Sequence, residues 1–262
     1  MGPRVNVEVN MEAVRRRIWE ILPGFLSWGT LIGLTVLALV LPFWIAIFVI
    51  AYDVYLLIRI VYMSIHLLYA YRRLKEYRDV DWVARLTTEK TLLDWNMVHH
   101  VIVIPTYDES IHVLRTSIES LTKTSYPKER MHLVVGFEER AGEKAKERAR
   151  TLKKEFGSHF QTFLTTFHPD GLAGEKRVKS ANATWAIQKM EEKLAEQKIS
   201  EDVVLVSNFD SDTVVSSEYF SYLTYVFTTT EHPYRASYQP IPVYNNNLWD
   251  APSFSRVVAM GS

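Results

Sequence analysis

The sequence contains no cysteine and no excess of charge of either sign. Without cysteine there is no disulfide bond and no thiolate metal site, and this absence favours a reducing compartment. Thirty Lys and Arg residues balance thirty Asp and Glu residues. A nucleic-acid-binding protein usually carries a basic excess, so the balance argues against nucleic acid as a partner. A chain of 262 residues has room for one α/β domain and a smaller additional segment.

Two long apolar runs stand near the N-terminus. Residues 25–41 carry no charge, and residues 43–71 carry only Asp53 and Arg59. A bilayer core requires roughly 20 apolar residues as helix, and residues 22–42 satisfy that length. Pro42 falls between the runs, where a tight turn is expected because proline disrupts a continuing helix. We therefore predict a two-helix transmembrane hairpin over residues 22–71, with a buried hairpin of a soluble protein as the alternative.

Basic residues flank both ends of this apolar pair. Arg15–Arg17 precede it and Arg72, Arg73 and Lys75 follow it, whereas the connection is uncharged. The positive-inside rule then places both ends in the cytoplasm. A signal peptide is not expected, because a second apolar run follows the first at once. The pattern predicts a multi-pass integral membrane protein surrounded by membrane lipid. Asp53 could pair with a further membrane subunit, and Arg59 could reach the lipid boundary.

Strand and helix patterns alternate in the rest of the chain, which predicts an α/β fold with a mostly parallel sheet and flanking helices. The predicted strands are residues 100–105, 132–137, 160–167 and 203–207, with an extended segment at 235–243. The predicted helices are residues 111–121, 140–156, 178–197 and 216–229. The domain organisation is then a cytoplasmic segment (1–21), the hairpin (22–71), an amphipathic linker (72–98) and the α/β domain (99–262).

The segment VVLVSNFDSDTV, residues 203–214, ends a predicted strand with two aspartates. In open α/β sheets, ligands bind beyond the carboxyl ends of the strands. Residues two apart in extended backbone point to the same side, so Asp210 and Asp212 could share one hard cation. Mg²⁺ or Mn²⁺ suits such oxygen ligands. The alternative is an ordinary polar turn.

Other strand ends carry polar clusters as well. The segment PTYDES follows the first strand, and its Thr106 and Glu109 also fit a helix capping box. The segment GFEER places Glu138 and Glu139 after the second strand. A cationic cluster at a helix start can hold phosphates through its charges and through backbone N–H groups. Such a cluster precedes the third helix and comprises Lys176, Arg177 and Lys179, followed by Asn182.

The segments IPTYDES, KSAN and DSD, in this order, resemble motifs of the membrane-associated family 2 glycosyltransferases related to cellulose, chitin and hyaluronan synthases. The resemblance covers roughly residues 101–247. Asp108 departs from the pattern, since the family has asparagine there. Glu138 departs too, because the family usually has aspartate after the second strand. This second departure leaves open which nucleobase is recognised.

The resemblance implies a GT-A fold, which is Rossmann-like, and inverting transfer from a nucleotide-diphosphate sugar, most simply a UDP-sugar. The acceptor would be a glycan or a lipid-linked glycan. Mg²⁺ or Mn²⁺ would be held by Asp210 and Asp212. The nucleotide-sugar-binding residues that the resemblance implies are Pro105, Thr106, Tyr107, Glu109, Glu138, Lys179, Asn182 and Asp210.

The family's acidic general base and its later Gln/Arg-x-x-Arg-Trp motif have no counterpart in this sequence. The resemblance therefore implies a donor-binding half, with the general base expected beyond Ser262. By the same analogy, residues 238–247 would line the sugar pocket. Two other functions stay open: a non-catalytic, membrane-anchored nucleotide-sugar-binding subunit, and a membrane-anchored nucleotidyltransferase.

Overall fold

The computed structural model describes residues 11–172, 175, 178–240 and 252. It divides into two compact units, and the boundary between them in the sequence falls between Tyr77 and Arg78. The first unit contains the apolar runs and the second contains the alternating strands and helices. Each unit is described by itself.

The first unit consists of two long helices, α1 (Met11–Val40) and α2 (Pro42–Arg78). By length and composition, both are able to cross a membrane. Among the residues with a described side chain, neither helix has a buried residue. The prediction of two long apolar helices is confirmed.

The connection between these helices differs from the predicted hairpin turn. Only Leu41 separates them. Its N–H donates to the Leu37 carbonyl at 2.7 Å, and the Ile45 N–H donates to the Leu41 carbonyl at 3.2 Å. Both bonds have the spacing of an α-helix, so the tight turn predicted at Pro42 is wrong. Proline is tolerated at the first position of a helix, and the neighbouring residues offer none of the glycine or polar side chains that favour turns.

The second unit alternates strands with helices, as predicted, and most element bounds lie within two residues of the prediction. Helix α7 is the main exception, since it begins three residues later than expected. Of the segment predicted as extended, residues 236–240 have no regular structure and residues 241–243 lie outside the described residues. The elements are α3 (Trp82–Thr88), β1 (His99–Pro105), α4 (Ile111–Thr122), β2 (Met131–Glu138), α5 (Gly142–Phe156), β3 (Thr162–His168), α6 (Lys179–Glu196), β4 (Val204–Asn208) and α7 (Tyr219–Thr229).

The four strands form one parallel sheet in the order β3-β2-β1-β4. Strands β1 and β2 are central and almost fully buried, as their continuous apolar sequences require. Ile102, Leu133 and Val135 belong to the core that also contains α4 and α5 residues. Val103 and Val134 face the opposite way and pack with α6. All four strands therefore end at the same edge of the sheet, called here the carboxyl edge.

Candidate functional site at the carboxyl edge

The turn after β1 is closed by the carboxylate of Glu109. Glu109 Oε2 accepts hydrogen bonds from Thr106 Oγ1 at 2.5 Å and from the Tyr107 N–H at 2.6 Å. Helix α4 begins after this turn, and Ser110 is its N-cap, accepting from the Val113 N–H. The alternative of a capping box formed by Thr106 and Glu109 is therefore wrong. The Glu109 carboxylate instead accepts hydrogen bonds from residues of its own turn, Thr106 and Tyr107.

The charge of Glu109 is set by two opposing effects. Burial raises the pKa of this carboxyl group, but hydrogen bonds from Thr106, from the Tyr107 backbone, from its own backbone and from Ser211 outweigh burial. The net pKa of Glu109 is lowered. The turn thus carries a fixed negative charge, whose closest donors belong to the turn itself.

Arg148 of α5 holds the same turn from outside. Its Nη1 donates to the Glu109 carbonyl at 3.0 Å, and its Nη2 donates to Asp108 Oδ1 at 2.8 Å. Asp108 stands where the resembling family has asparagine. A carboxylate at this position gains an ion pair with Arg148 that an amide could not form. The aspartate at position 108 therefore has a local structural role, because its carboxylate pairs with Arg148 of α5.

Asn182 lies beneath the edge, 2% exposed. Its Nδ2 donates to the Gly136 carbonyl at 2.9 Å and to the Thr106 carbonyl at 3.2 Å, which joins the ends of β1 and β2. Its Oδ1 is buried and has no hydrogen-bond partner in the described part of the chain. The amide nitrogen is engaged with the backbone, so a contact between Asn182 and a nucleotide sugar stays a prediction.

Tyr107 and Glu138 are linked through Arg140, which the sequence analysis did not single out. The Tyr107 ring is 48% exposed. The Arg140 guanidinium carbon lies 4.5 Å from its centroid, a cation–π contact. Arg140 Nε also lies 3.5 Å from Glu138 Oε2, and Glu138 is 5% exposed. The ring therefore stands at the edge with one side chain already stacked on it.

His168, at the end of β3, extends this chain of contacts. Its Nδ1 lies 3.4 Å from Glu138 Oε2 and its Nε2 lies 3.1 Å from Glu175 Oε2. Both contacts are hydrogen bonds only when both ring nitrogens carry a hydrogen. His168 is paired with Glu138 in the sheet register. The rule that ligands bind beyond strand ends could have identified His168 from the sequence.

Lys179 and Asp210 form an ion pair across the edge. Lys179 is the first residue of α6, and Asp210 follows the last strand in the order of the chain. Both side chains are at least half exposed, at 50% and 73%. The contact joins two segments that the sequence analysis assigned to phosphate and cation binding. It brings together two predicted site residues that lie 31 positions apart in the sequence.

The segment that carries the two aspartates is a turn. The Thr213 N–H donates to the Asp210 carbonyl at 3.0 Å, so the extended backbone expected at Asp210 and Asp212 is wrong. Both aspartates are nonetheless exposed, while Ser211 between them is 6% exposed. The turn keeps the serine inside and leaves both carboxylates outside.

The donor set at this edge fits a divalent cation only in part. Among the described residues, no group of three or more His, Asp or Glu side chains is arranged to hold a metal. Asp210 and Asp212 offer carboxylate oxygens, and Mg²⁺ commonly takes one or two carboxylates plus water and substrate phosphates. The arrangement fits a cation shared with a phosphorylated ligand, and the Lys179 ammonium would compete for Asp210.

Some predicted residues fall outside this description. Lys176, Arg177 and residues 241–247 lie outside the described residues. Pro105 ends β1 and thus leads directly into the Thr106 turn.

A separate cavity of about 230 Å³ is lined by Leu92, Leu93 and residues 230–235, and it shares no residue with the carboxyl edge. The candidate site is therefore an edge rather than this cavity.

No protein-family model matches the chain, and no curated protein matches it. The functional proposal consequently depends on the residues and on their geometry.

Proposed function

We propose that this chain is a membrane-anchored, inverting glycosyltransferase of the GT-A type. It would move a sugar from a nucleotide-diphosphate donor, most simply a UDP-sugar, to a glycan or lipid-linked acceptor. The observation that carries the proposal is the contact between Lys179 and Asp210 at the edge that also bears Tyr107. An ammonium group, a carboxylate and a half-exposed tyrosine thus come from three separate segments at the carboxyl edge of one parallel sheet.

The nucleoside would lie against Tyr107. An aromatic ring with an accessible surface provides a stacking platform for a base. Glu138 supplies a buried carboxylate that contacts Arg140, and Arg140 in turn lies against that ring. Carboxylates accept hydrogen bonds from the N–H groups of bases, so Glu138 is assigned to base recognition.

The diphosphate would lie at the start of α6. Val178, the N-cap residue, provides no side-chain hydrogen bond to the first turn. The first N–H groups of an α-helix have no partner within the helix and favour anions. Lys179 adds an ammonium group at the same place. When donor binds, Lys179 would turn from Asp210 towards the phosphate oxygens.

A Mg²⁺ or Mn²⁺ ion held by Asp210 and Asp212 would supply neutralisation of the negative charge on the leaving diphosphate. Lys179 would strengthen its contact as that charge develops, which stabilises the transition state more than the ground state. The turn closed by Glu109 and held by Arg148 would keep Tyr107 in a fixed orientation.

The apolar helices support membrane anchoring. The basic residues that follow α2 favour the α/β domain on the cytoplasmic side.

A non-catalytic, donor-binding subunit is the second candidate. Such a subunit would bind donor through the same residues and would release no product. A nucleotidyltransferase would use the same phosphate-binding and cation-binding residues but would release a different product.

These functions are separated by incubating the purified full chain with Mn²⁺ and a panel of nucleotide-diphosphate sugars, and by identifying what is released. A transferase releases nucleoside diphosphate. We expect Asp212→Asn to lower this release at least tenfold, and the matched variant Asp202→Asn, an exposed acid before β4, to leave it unchanged. Donor binding without any release would favour the binding subunit. Release of pyrophosphate would favour a nucleotidyltransferase.

A further inference from the structure

The segment that follows Asp210 and Asp212 is attached to helix α4 by two serines. Ser117 Oγ donates to the Thr213 carbonyl at 2.7 Å. The Val215 N–H donates to Ser120 Oγ at 3.1 Å. Ser117 is 1% exposed and Ser120 is 8% exposed, so the serine end of each bond is buried. Two polar residues of one helix thus hold two backbone positions of the aspartate segment.

The hydrogen bonds of these serines have defined directions. Ser120 Oγ donates its own hydrogen to the Ser117 carbonyl at 2.7 Å, which leaves its lone pairs for the Val215 N–H. Ser117 donates its hydrogen to Thr213. A hydroxyl has one hydrogen to donate, so neither serine can exchange its role without breaking a bond. Together, Ser117 and Ser120 bind one carbonyl group and one N–H group of the segment that follows the aspartates.

Ser117 departs from the usual behaviour of a helical serine. Hydroxyl side chains within helices often bond the carbonyl four residues earlier. The neighbouring Thr116 does so, since its Oγ1 donates to the His112 carbonyl at 3.0 Å. Ser117 instead bonds a carbonyl 96 residues away. Its hydroxyl serves the aspartate segment rather than its own helix.

Thr213 connects Ser117 to the aspartates. Its carbonyl accepts from Ser117, and its N–H closes the turn by donating to the Asp210 carbonyl at 3.0 Å. On the other side, the Phe209 N–H donates to the Val103 carbonyl at 2.9 Å. The backbone of the aspartate turn is therefore fixed by β1 before it and by α4 after it.

We propose that Ser117 and Ser120 are positioning residues that hold the carboxylates of Asp210 and Asp212 ready for a divalent cation shared with a phosphorylated ligand. This inference rests on the proposed function. The side chains of the two aspartates are exposed, and the backbone of the turn sets the positions from which both carboxylates extend. Fixing that backbone before binding reduces the entropy lost when the ligand arrives.

The test uses the full chain, Mn²⁺ as the cation and UDP as the phosphorylated ligand. Free Mn²⁺ is measured by electron paramagnetic resonance to obtain the Kd. We expect Ser117→Ala and Ser120→Ala each to raise this Kd by about three- to tenfold, equivalent to the loss of one hydrogen bond. Thr116→Ala, on the same helix, is the control and is expected to leave the Kd unchanged. A smaller folded fraction raises the apparent Kd by its reciprocal, so the folded fraction of each variant is measured by circular dichroism and its Kd is corrected for it.

A double-mutant cycle separates positioning from general support of the fold. If Ser117 acts through the carboxylates, Ser117→Ala should have a smaller effect on Mn²⁺ affinity once Asp212→Asn is present, because only Asp210 then remains to be positioned. Equal effects of Ser117→Ala in both backgrounds would overturn the inference. If Ser117→Ala does not fold, Ser120→Ala gives the same test, since it removes a different bond of the same segment.

The failure of this inference is distinguishable from failure of the proposed function. If Asp212→Asn raises the Kd while both serine variants behave like Thr116→Ala, the positioning role is overturned and the proposed site stands. If the unaltered chain binds no Mn²⁺ in the presence of UDP, the proposed function and the positioning role both fall.

Discussion

Asn182 and Gly136 fit each other closely at the end of β2. Asn182 Nδ2 donates to the Gly136 carbonyl at 2.9 Å, and a Cβ on residue 136 would lie 2.5 Å from Asn182 Oδ1. Only glycine leaves room for the amide at this position. The pair fixes the start of α6 against the carboxyl edge, and Lys179 is the first residue of that helix.

We expect Gly136→Ala to lower the free energy of unfolding by about 1–3 kcal/mol, because the added methyl group meets a buried amide that cannot move freely. Chemical denaturation of the full chain measures this change. Gly157→Ala is the matched control, since its Cβ would find only the Lys153 side chain at 3.7 Å. An equal effect of both variants would contradict the close fit.

Two buried histidines make the free energy of unfolding depend on pH. Burial lowers the pKa of His100 to about 3 and that of His132 to about 4, with neighbouring histidine charges adding to both shifts. An unfolded histidine titrates near 6.5, so below that pH the unfolded chain binds more protons. Stability is therefore fully present above pH 6.5 and is lost as the pH falls towards 4 and then 3.

Denaturation of the full chain between pH 7 and pH 4 measures this loss. We expect the free energy of unfolding to decrease over this range and His132→Gln to make the decrease shallower, by roughly 1.4 kcal/mol for each pKa unit removed. His112→Gln changes an exposed histidine and is expected to leave the slope as it is. A slope that His132→Gln does not alter would contradict the assignment.

The ion pair between Lys179 and Asp210 predicts two opposite effects of one substitution. Lys179→Met removes the ammonium that competes for Asp210, so affinity for Mn²⁺ alone should rise a few-fold. The same change removes a phosphate partner, so affinity for UDP should fall. Both effects are modest because the pair is exposed. Binding titrations of each ligand check this, with Lys193→Met near the other end of α6 as the control. Parallel changes for both ligands would contradict the proposed role.

The natural absence of cysteine allows the membrane topology to be mapped directly. If α2 crosses the membrane with its basic end in the cytoplasm, Leu41→Cys, just before the other end of α2, should react with an impermeant maleimide from outside intact cells. Lys144→Cys, on α5, should react only after permeabilisation. Labelling of both sites from the same side would contradict the cytoplasmic placement of the α/β domain.

Several features were predictable because they depend on local pattern. Apolar runs at residues 100–105 and 132–137 identified the two central strands, and strand–helix alternation identified the parallel sheet. Parallel strands share one carboxyl edge, so the convergence of Lys179 and Asp210 followed from topology. These inferences needed no knowledge of side-chain partners.

Other features depend on partners distant in sequence. Arg148 binds the Asp108 turn from 40 residues away, and Ser117 binds Thr213 from 96 residues away. No local pattern indicates such pairs. The turn expected at Pro42 was wrong for a related reason, because proline removes one helical hydrogen bond without dictating that the chain reverses.

The central claim is that the carboxyl edge binds a nucleotide-diphosphate sugar together with a divalent cation. Titration calorimetry of UDP-sugars into the full chain, with Mn²⁺ and with chelator, tests it most directly. We predict binding that requires Mn²⁺, weakens at least tenfold in Asp212→Asn and is unchanged in Asp202→Asn. Binding that is equally strong with chelator and in Asp212→Asn, or no binding at all, would contradict the claim.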